Sequence, residues 1–396
     1  MSAAPPAPRV IVRHGADGYA ITREAIAAAE PGGVAGRRLL LKPNVGRVAA
    51  PGDGVTTNPP VVAACIDAFR ELGAEVAVGE SPIIGINTRE ALAAAGITAV
   101  AEERGCPLLD LDEGRFRDMD SPDGVAMKRF RLCPAVKDFD AVVSIPVAKT
   151  HMHTGVTLSV KNMKGCLWRR SKVDLHMLDP VAGHDDKSLN LAINDMARVL
   201  RPDIAVVDAT VGMEGLGPSA GTPKRLDTVL VSTDGYAADA VACALMGIAA
   251  EDVPHLRLGA ENGHGVIDLD AIAVDPPEWR GWTDPFELPP ENPAIEFDNV
   301  EILDRQSCSA CQSTLLLFLK RFGDRLFDYF PSDTPLKIAI GLGHEDLPEG
   351  TLCIGNCTTK HRGRGIFVPG CPPVGSNIMK AIEDGHEKAA DDACED

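Results

Sequence analysis

The chain has 396 residues, which at about 150 residues per domain suggests two or three domains. Apolar residues make up 45% and charged residues 24%, which excludes a wholly disordered chain; aromatic residues, at 4%, leave the core to Ala, Val, Leu and Ile and favour a helix-plus-sheet protein over a β-sandwich. Its 39 basic and 57 acidic residues give a formal net charge of −18, which argues against a nucleic-acid partner, and no stretch reaches the roughly 20 consecutive apolar residues of a membrane helix, so no membrane partner is expected. The start, Met1-Ser2-Ala3-Ala4-Pro5-Pro6, has neither the charged nor the apolar region of a secretory signal. Eleven cysteines, an odd number, then point to a cytoplasmic protein with a metal or cluster site rather than to a disulfide framework.

In chain order, residues 38–43 read as a short buried strand ended by proline. Residues 60–72 carry helical spacing through Val61, Ala64, Cys65, Ala68 and Leu72, with Gly73 as the stop. Glu75–Gly79 is a second strand, and Asn87 caps a helix that ends at Gly96. The apolar runs Ala141–Pro146 and Asp203–Asp208 predict central parallel strands, with a helix over 188–200 between them. A strand at Leu226–Ser232 and a helix over 235–247 repeat the pattern, with Asp234 as the helix cap. The fold class expected is therefore α/β, a mostly parallel sheet flanked by helices, which binds ligands at its carboxyl edge.

Near residue 275 the composition changes. Residues 276–299, rich in proline, read as a linker between an α/β main domain over 1–275 and a small α/β domain over 300–388; residues 389–396 form an acidic tail. The small domain is expected to hold a helix over about 311–329, strands at Lys337–Ile340 and Leu352–Gly355, and a helix over about 375–383.

That small domain carries the strongest chemical signal. Cys308 and Cys311 form a Cys-x-x-Cys pair at a helix start, Cys357 follows in Gly-Asn-Cys, and Cys371 in Gly-Cys-Pro-Pro. One close pair with two distant single cysteines is what a 4Fe–4S cluster needs, and Lys360, His361, Arg362 and Arg364 lie between the last two to offset its negative charge. A structural zinc site competes, although zinc ribbons usually present two tight knuckles. Cys353 competes with Cys357, but it sits in the apolar run Leu352-Cys353-Ile354, where cysteine is commonly a small core residue.

A second constellation spans residues 149–172. It contains six basic residues (Lys149, Lys161, Lys164, Arg169, Arg170, Lys172) with His151 and His153, and it follows directly on a strand end. In an acidic chain this positive island would draw a small anionic substrate, unless it is simply a solvated basic loop. Lys42 and Asn44 end the first strand and extend the set, as does Asn162. The Gly- and Thr-rich loop 52–58 resembles an anion cradle but matches neither nucleotide-binding pattern. Glu214, after the strand ending at Asp208, is either a turn residue or an acid facing the island.

Lys42-Pro43-Asn44, Lys149-Thr150-His151, the run Thr154–Asn162 and Met213-Glu214-Gly215-x-Gly217-Pro218 together resemble domain-of-unknown-function family 362 over roughly residues 38–250. The cysteine segment resembles one appended in a subset of that family, and its Gly-Cys-Pro-Pro ending resembles cluster-binding small subunits of nickel–iron hydrogenases. The resemblance implies an iron–sulfur protein without establishing a reaction. A distant similarity to the lactate racemase fold implies a racemase or isomerase with an additional cofactor as one alternative. The chain lacks the dense Cys-x-x-Cys-x-x-Cys run of members with a ferredoxin-like domain, so one cluster is expected.

The expectation is an oxygen-sensitive cytoplasmic oxidoreductase acting on a small anion, with electrons from an external ferredoxin or flavoprotein passing through one cluster. Lys42, Asn44, Lys149, Lys161, Asn162 and Lys164 would bind the substrate, while His151, His153 and Glu214 would serve as acid–base groups. A non-redox protein with a structural or sensory cluster is the other alternative.

Overall fold

The computed structural model describes residues 7–289 and 297–392. The chain divides into two compact units, Met1–Pro290 and Glu291–Asp396. The first contains strands β1 (Arg9–His14), β2 (Arg38–Pro43), β3 (Glu75–Glu80), β4 (Leu108–Asp110), β5 (Arg117–Asp120), β6 (Arg129–Leu132), β7 (Ala141–Ile145), β8 (Val147–His151), β9 (Gly155–Thr157), β10 (Ile204–Glu214), β11 (Thr222–Ser232) and β12 (Ala273–Asp275). All but β5 and β6, which pair with each other, belong to one sheet of order β12-β1-β11-β10-β7-β2-β3-β4, with β8 added beside β10 and β9 beside β8. The run β10-β7-β2-β3-β4 is parallel throughout, and the antiparallel pairs lie at β1–β11, β10–β11 and β8–β9. The fold is thus α/β with a mostly parallel sheet.

Alternation along the strands builds two core layers. Val10, Val12, Leu40, Val142, Ala205, Val207 and Leu230 pack on one face with apolar residues of the helices Ser188–Ala197, Gly235–Leu245 and Pro254–Glu261. Ile11, Leu39, Leu41, Val76, Val78, Val143 and Val206 pack on the other with the helices Gly18–Ala29, Pro59–Glu71, Thr88–Ala94 and Ile97–Glu103. Asn87 Oδ1 accepts from Glu90 N, and Asp234 accepts from the amides of Tyr236 and Ala237, so both expected caps are in place.

β11, expected to repeat the parallel pattern, runs antiparallel to both of its neighbours, and two further elements depart from the sequence reading. The strand expected to end at Asp208 runs on to Glu214, because its second half pairs with the start of β11 across an irregularity between Ala209 and Val211. The expected linker is in large part not a span: Trp279 and Phe286 are buried in the core of the first unit, and Lys224 Nζ donates to Pro285 O at 2.7 Å. Large apolar rings set among the prolines favour this docking over free extension. Of that stretch, residues 290–296 lie outside the described residues. So do Met1–Pro6 and, in the acidic tail, residues 393–396.

The second unit is a fully parallel sheet of order β13 (Val300–Asp304), β14 (Leu336–Ile340), β15 (Leu352–Ile354), β16 (Phe367–Val368). Its core joins Leu315, Phe318 and Leu319 of the helix Ser309–Leu326 to Ile338, Ile354 and Val368 of the sheet and to Ile378 and Ile382 of the helix Gly375–Asp392.

One buried side chain fixes the segment that carries Lys161. Asp239 accepts hydrogen bonds from Ser159 N (2.8 Å), Ser159 Oγ (2.6 Å) and Val160 N (3.0 Å). Asp239→Ala would strand the amides of Ser159 and Val160 in a dry interior, each at about 1–3 kcal/mol, while the Ser159 hydroxyl keeps Gly235 O as an acceptor. Allowing for partial relaxation, urea unfolding should show a loss of roughly 3 kcal/mol. A loss no larger than that of an ordinary surface substitution would show that these donors find other partners.

Candidate functional site

β2, β3, β4 and β7 run parallel, so the residues that follow their carboxyl ends meet along one edge. Lys42 and Asn44 come from β2, Glu80 and Ser81 from β3, and Asp112 from beyond β4. The chain leaving β7 enters β8 with Lys149 and His151, then β9 and the helical turn Ser159–Asn162 with Lys161. Lys42 Nζ, 1% exposed, donates to both carboxylate oxygens of Glu80 at 3.0 Å and to Asn162 Oδ1 at 3.2 Å. Asn44 Nδ2 donates to the same Asn162 oxygen, and Lys149 Nζ donates to Asn44 Oδ1 and Val55 O, each at 2.7 Å. A Cβ on Gly165 would lie 2.5 Å from Lys42 Nζ and 2.6 Å from Glu80 Oε1, so this position must be glycine for the pair to close.

Beyond that pair the edge is rich in lysine and histidine. Lys161 Nζ, buried, has Thr157 Oγ1 at 3.5 Å, and the partly buried Lys164 shares a hydrogen bond with His176 Nε2. Lys172 Nζ donates to Ser81 Oγ and Leu167 O and lies 3.4 Å from Asp112. His151 Nδ1 accepts from His153 N at 3.1 Å, which assigns the ring proton of neutral His151 to Nε2 and makes it a donor.

Of the residues expected from the sequence, Lys42, Asn44, Lys149 and Asn162 share one hydrogen-bond network. Lys161, Lys164 and His153 all lie within electrostatic reach of His151, and Lys161 within reach of Lys164. Glu214 stands apart: its carboxylate accepts from Glu287 N and sits 3.4 Å from Lys224, because the extension of β10 carries it to the docked 284–287 segment. The acid among the lysines is Glu80, and its signal was available, since it directly follows an expected strand. His176 is a further member that the sequence reading passed over. The Gly-Thr loop is largely tied to its own unit, while Thr56 Oγ1 is buried without a hydrogen-bond partner among the described residues. Asn58 is held by Asp208, Thr57 Oγ1 donates to Ile145 O, and Val55 offers a carbonyl to Lys149.

In the second unit the parallel strands again collect the chemistry at one edge. Cys308 and Cys311 follow β13 at the start of the helix Ser309–Leu326, Cys357 follows β15, and Cys371 follows β16. The hydrogen bond with Cys308, then burial, then the charges of Cys308, Cys357 and Cys371 all raise the pKa of the buried Cys311 thiol. Asn356 ties two of the loops together, its N donating to Gly370 O and its Oδ1 accepting from Gly370 N, both at 2.8 Å. Gly355, at φ 92°, brings backbone against the Cys311 thiol: a Cβ there would stand 3.6 Å from Sγ. Cys353 is fully buried beside Ala339 and Leu347 and directs its thiol at the carbonyls of Thr351 and His361. Among the described residues, no group of three or more His, Cys, Asp or Glu is placed to hold a single metal ion.

Crowding of like charges out of water shifts the titrations of the first site. Burial, then the charge of Arg47, lowers Lys149 to about 7; burial, then the charge of Lys149, lowers Lys161 to about 7. Burial first, and then the lysines, also push Lys164 and His176 well down, and His151 likewise through burial and then Lys161. Unfolded, these lysines titrate near 10.5, so above pH 7 the folded chain binds fewer protons than the unfolded one and stability rises with pH. In buffers without multivalent anions the melting temperature should therefore climb from about pH 7 to 8, below the range where the buried thiols, raised in the fold, act in the opposite sense, and Lys161→Met should flatten the climb. A flat or falling profile for the unsubstituted chain would show that both lysines keep their protons throughout.

Comparison with known proteins agrees with the sequence resemblance. The chain is 29% identical over 228 residues, 57% of its length and 68% of the relative's, to the thylakoid-associated protein sll1697 of Synechocystis sp.. Among the described residues no helix is long and apolar enough to cross a membrane. The model of the family described as domain of unknown function DUF362 matches residues 39–244, a span running from β2 into the helix Gly235–Leu245 and taking in the whole lysine edge. The chain belongs to the DUF362 family.

Proposed function

We propose that the chain is an oxygen-sensitive cytoplasmic iron–sulfur oxidoreductase that reduces or oxidises a small anionic substrate. Electrons would be exchanged through a single 4Fe–4S cluster with an external ferredoxin or flavoprotein. The observation that carries the cluster reading is that Cys308, Cys311, Cys357 and Cys371 all follow the carboxyl ends of strands in one parallel sheet. The donor set fits: four thiols, two glycines that admit close backbone approach, and cationic side chains between the last two cysteines. A four-iron cluster gives each thiolate its own iron, so its ligands need not converge on one point as those of zinc do. When bound, such a cluster supplies single electrons.

The first unit's residues supply the rest. Lys149, Lys161 and Lys164 hold the anion out of bulk water, where each charge–charge contact counts for more than at the surface. His151, donating through Nε2, orients an acceptor oxygen on the substrate. The hydrogen-bonded Lys164–His176 pair holds a proton in a place where both groups resist carrying a full charge. Lys42 serves through its pairing with Glu80, which keeps Asn44 and Asn162 aligned for the lysines beside them.

Anaerobic purification or reconstitution, followed by metal and sulfide analysis, tests this. About four iron and four sulfide per chain are expected, with broad visible absorption that dithionite bleaches. Serine at position 308, 311, 357 or 371 should each lose the cluster, while Cys353→Ser should retain it. Stoichiometric zinc without iron absorption would overturn the cluster. A cluster that neither dithionite nor titanium(III) citrate reduces would overturn the oxidoreductase reading and leave a structural element.

A further inference from the structure

We propose that Lys149, Lys161 and Lys164 form a binding site for a phosphate-class ligand, a tetrahedral oxyanion or its monoester carrying two or more negative charges. The proposal rests on the anionic-substrate reading above and narrows it to a chemical class.

The first argument is a count of charges. Lys42 is matched by Glu80 and Lys172 by Asp112. Lys149 has only neutral acceptors, Asn44 Oδ1 and Val55 O; Lys161 has the Thr157 hydroxyl; Lys164 has an imidazole. Among the described residues none of these three forms an ion pair, and Lys149 and Lys161 are 4% and 8% exposed. Leaving an ammonium unpaired out of water costs several kcal/mol, which burial here answers by lowering the lysines' pKa; an entering anion would supply the missing partner and restore their charge. A monocarboxylate would answer one of the three. A phosphate monoester, with a charge of roughly −1.5 to −2 at neutral pH, answers about two.

The second argument is geometry of recognition. A planar carboxylate is best read by the flat fork of an arginine, whereas lysines act as point charges that can approach a tetrahedral group from several sides. The three side chains come from different places: Lys149 from β8, Lys161 from the turn after β9, and Lys164 from the segment beyond. The charges around these groups come from several elements: Lys149 acts on Lys161, and Lys161 in turn on Lys164, His151, His176 and His255; Arg47 and Lys42 act on Lys149 as like charges, and Glu80 as the one opposite charge. Asn44 Nδ2 and His151 Nε2 add neutral donors. Lys149 and Lys161, held near 7 while the site is empty of anion, should regain protons as an anion enters. Binding at about pH 8 should thus take up protons, and affinity should fall as the pH rises.

Calorimetric titration of the full chain with sulfate, inorganic phosphate, pyrophosphate, acetate and succinate tests the class. Sulfate stays a dianion across the range, so its pH dependence reports the protein alone. The tetrahedral anions should bind at least about tenfold more tightly than acetate and more tightly than succinate. Titrations in two buffers of different ionisation enthalpy should show proton uptake at about pH 8. Lys161→Met should weaken sulfate at least about tenfold and reduce the uptake. If that variant does not fold, Lys164→Met, at a partly exposed position, carries the same expectation for affinity. Equal or tighter binding of acetate or succinate would overturn the phosphate class while leaving an anionic substrate intact. No binding of any of the five at millimolar concentration would overturn both readings.

Discussion

The buried pair between Lys42 and Glu80 is the constraint around which the lysine edge is arranged. Lys42 reaches both carboxylate oxygens, and those oxygens also accept from Val45 N and Ser81 N at 2.8 Å, so the ends of β2 and β3 are fixed together. Asn162, bound to Lys42 Nζ and to Lys42 O, fastens the turn that carries Lys161 to the same point and reaches Ser144 Oγ of β7. A buried ion pair adds little net stability, yet losing one partner typically costs about 3–5 kcal/mol because the other charge is left alone. What the pair gives here is register. Three strand ends and the Thr154–Asn162 run are held in one arrangement, and the lysines that lack carboxylates inherit their positions from it.

The two units apply one topological rule to different chemistry. In each, parallel strands deliver loops to a single edge, so residues far apart in sequence become neighbours without long excursions of the chain. The first unit brings Lys42, Glu80 and Lys149 together from three strands; the second brings Cys308, Cys357 and Cys371 from three strands of its own. Soft thiols and hard ammonium groups are thereby kept on separate scaffolds, each with its own apolar core. The helix Gly235–Leu245 couples support to chemistry most directly: Asp239, raised to about 7 by its burial, still holds Ser159 and Val160 and thus the turn leading to Lys161.

What the sequence discloses about this arrangement follows from how local each signal is. Leu39-Leu40-Leu41, the helix 188–197 with its strand neighbours, and the Asn87 and Asp234 caps are set by residues close in the chain, and all are legible. The basic run 149–172 is legible as a site because it follows a strand end. Its internal pairing is not, since Asn44 and Lys149, or Lys42 and Asn162, meet across more than a hundred residues. Glu214 misleads for the same reason: only the pairing of β10 with β11 carries it towards Lys224. The prolines of 276–289 suggest a free span, and the burial of Trp279 and Phe286 is decided by a surface the local sequence does not describe.

A net charge of −18 and a lysine-rich interior are not in conflict, because they act at different ranges. At physiological ionic strength the screening length is about 8 Å, so a dissolved small anion scarcely feels the acidic exterior until it is close. Inside, where water is sparse, an ion pair at 4 Å is worth about 4 kcal/mol at an effective dielectric of 20, against about 1 kcal/mol in bulk water. A small anion can leave the exterior behind. The burial of Lys149 and Lys161, rather than their number, thus decides how strongly their charges act at short range.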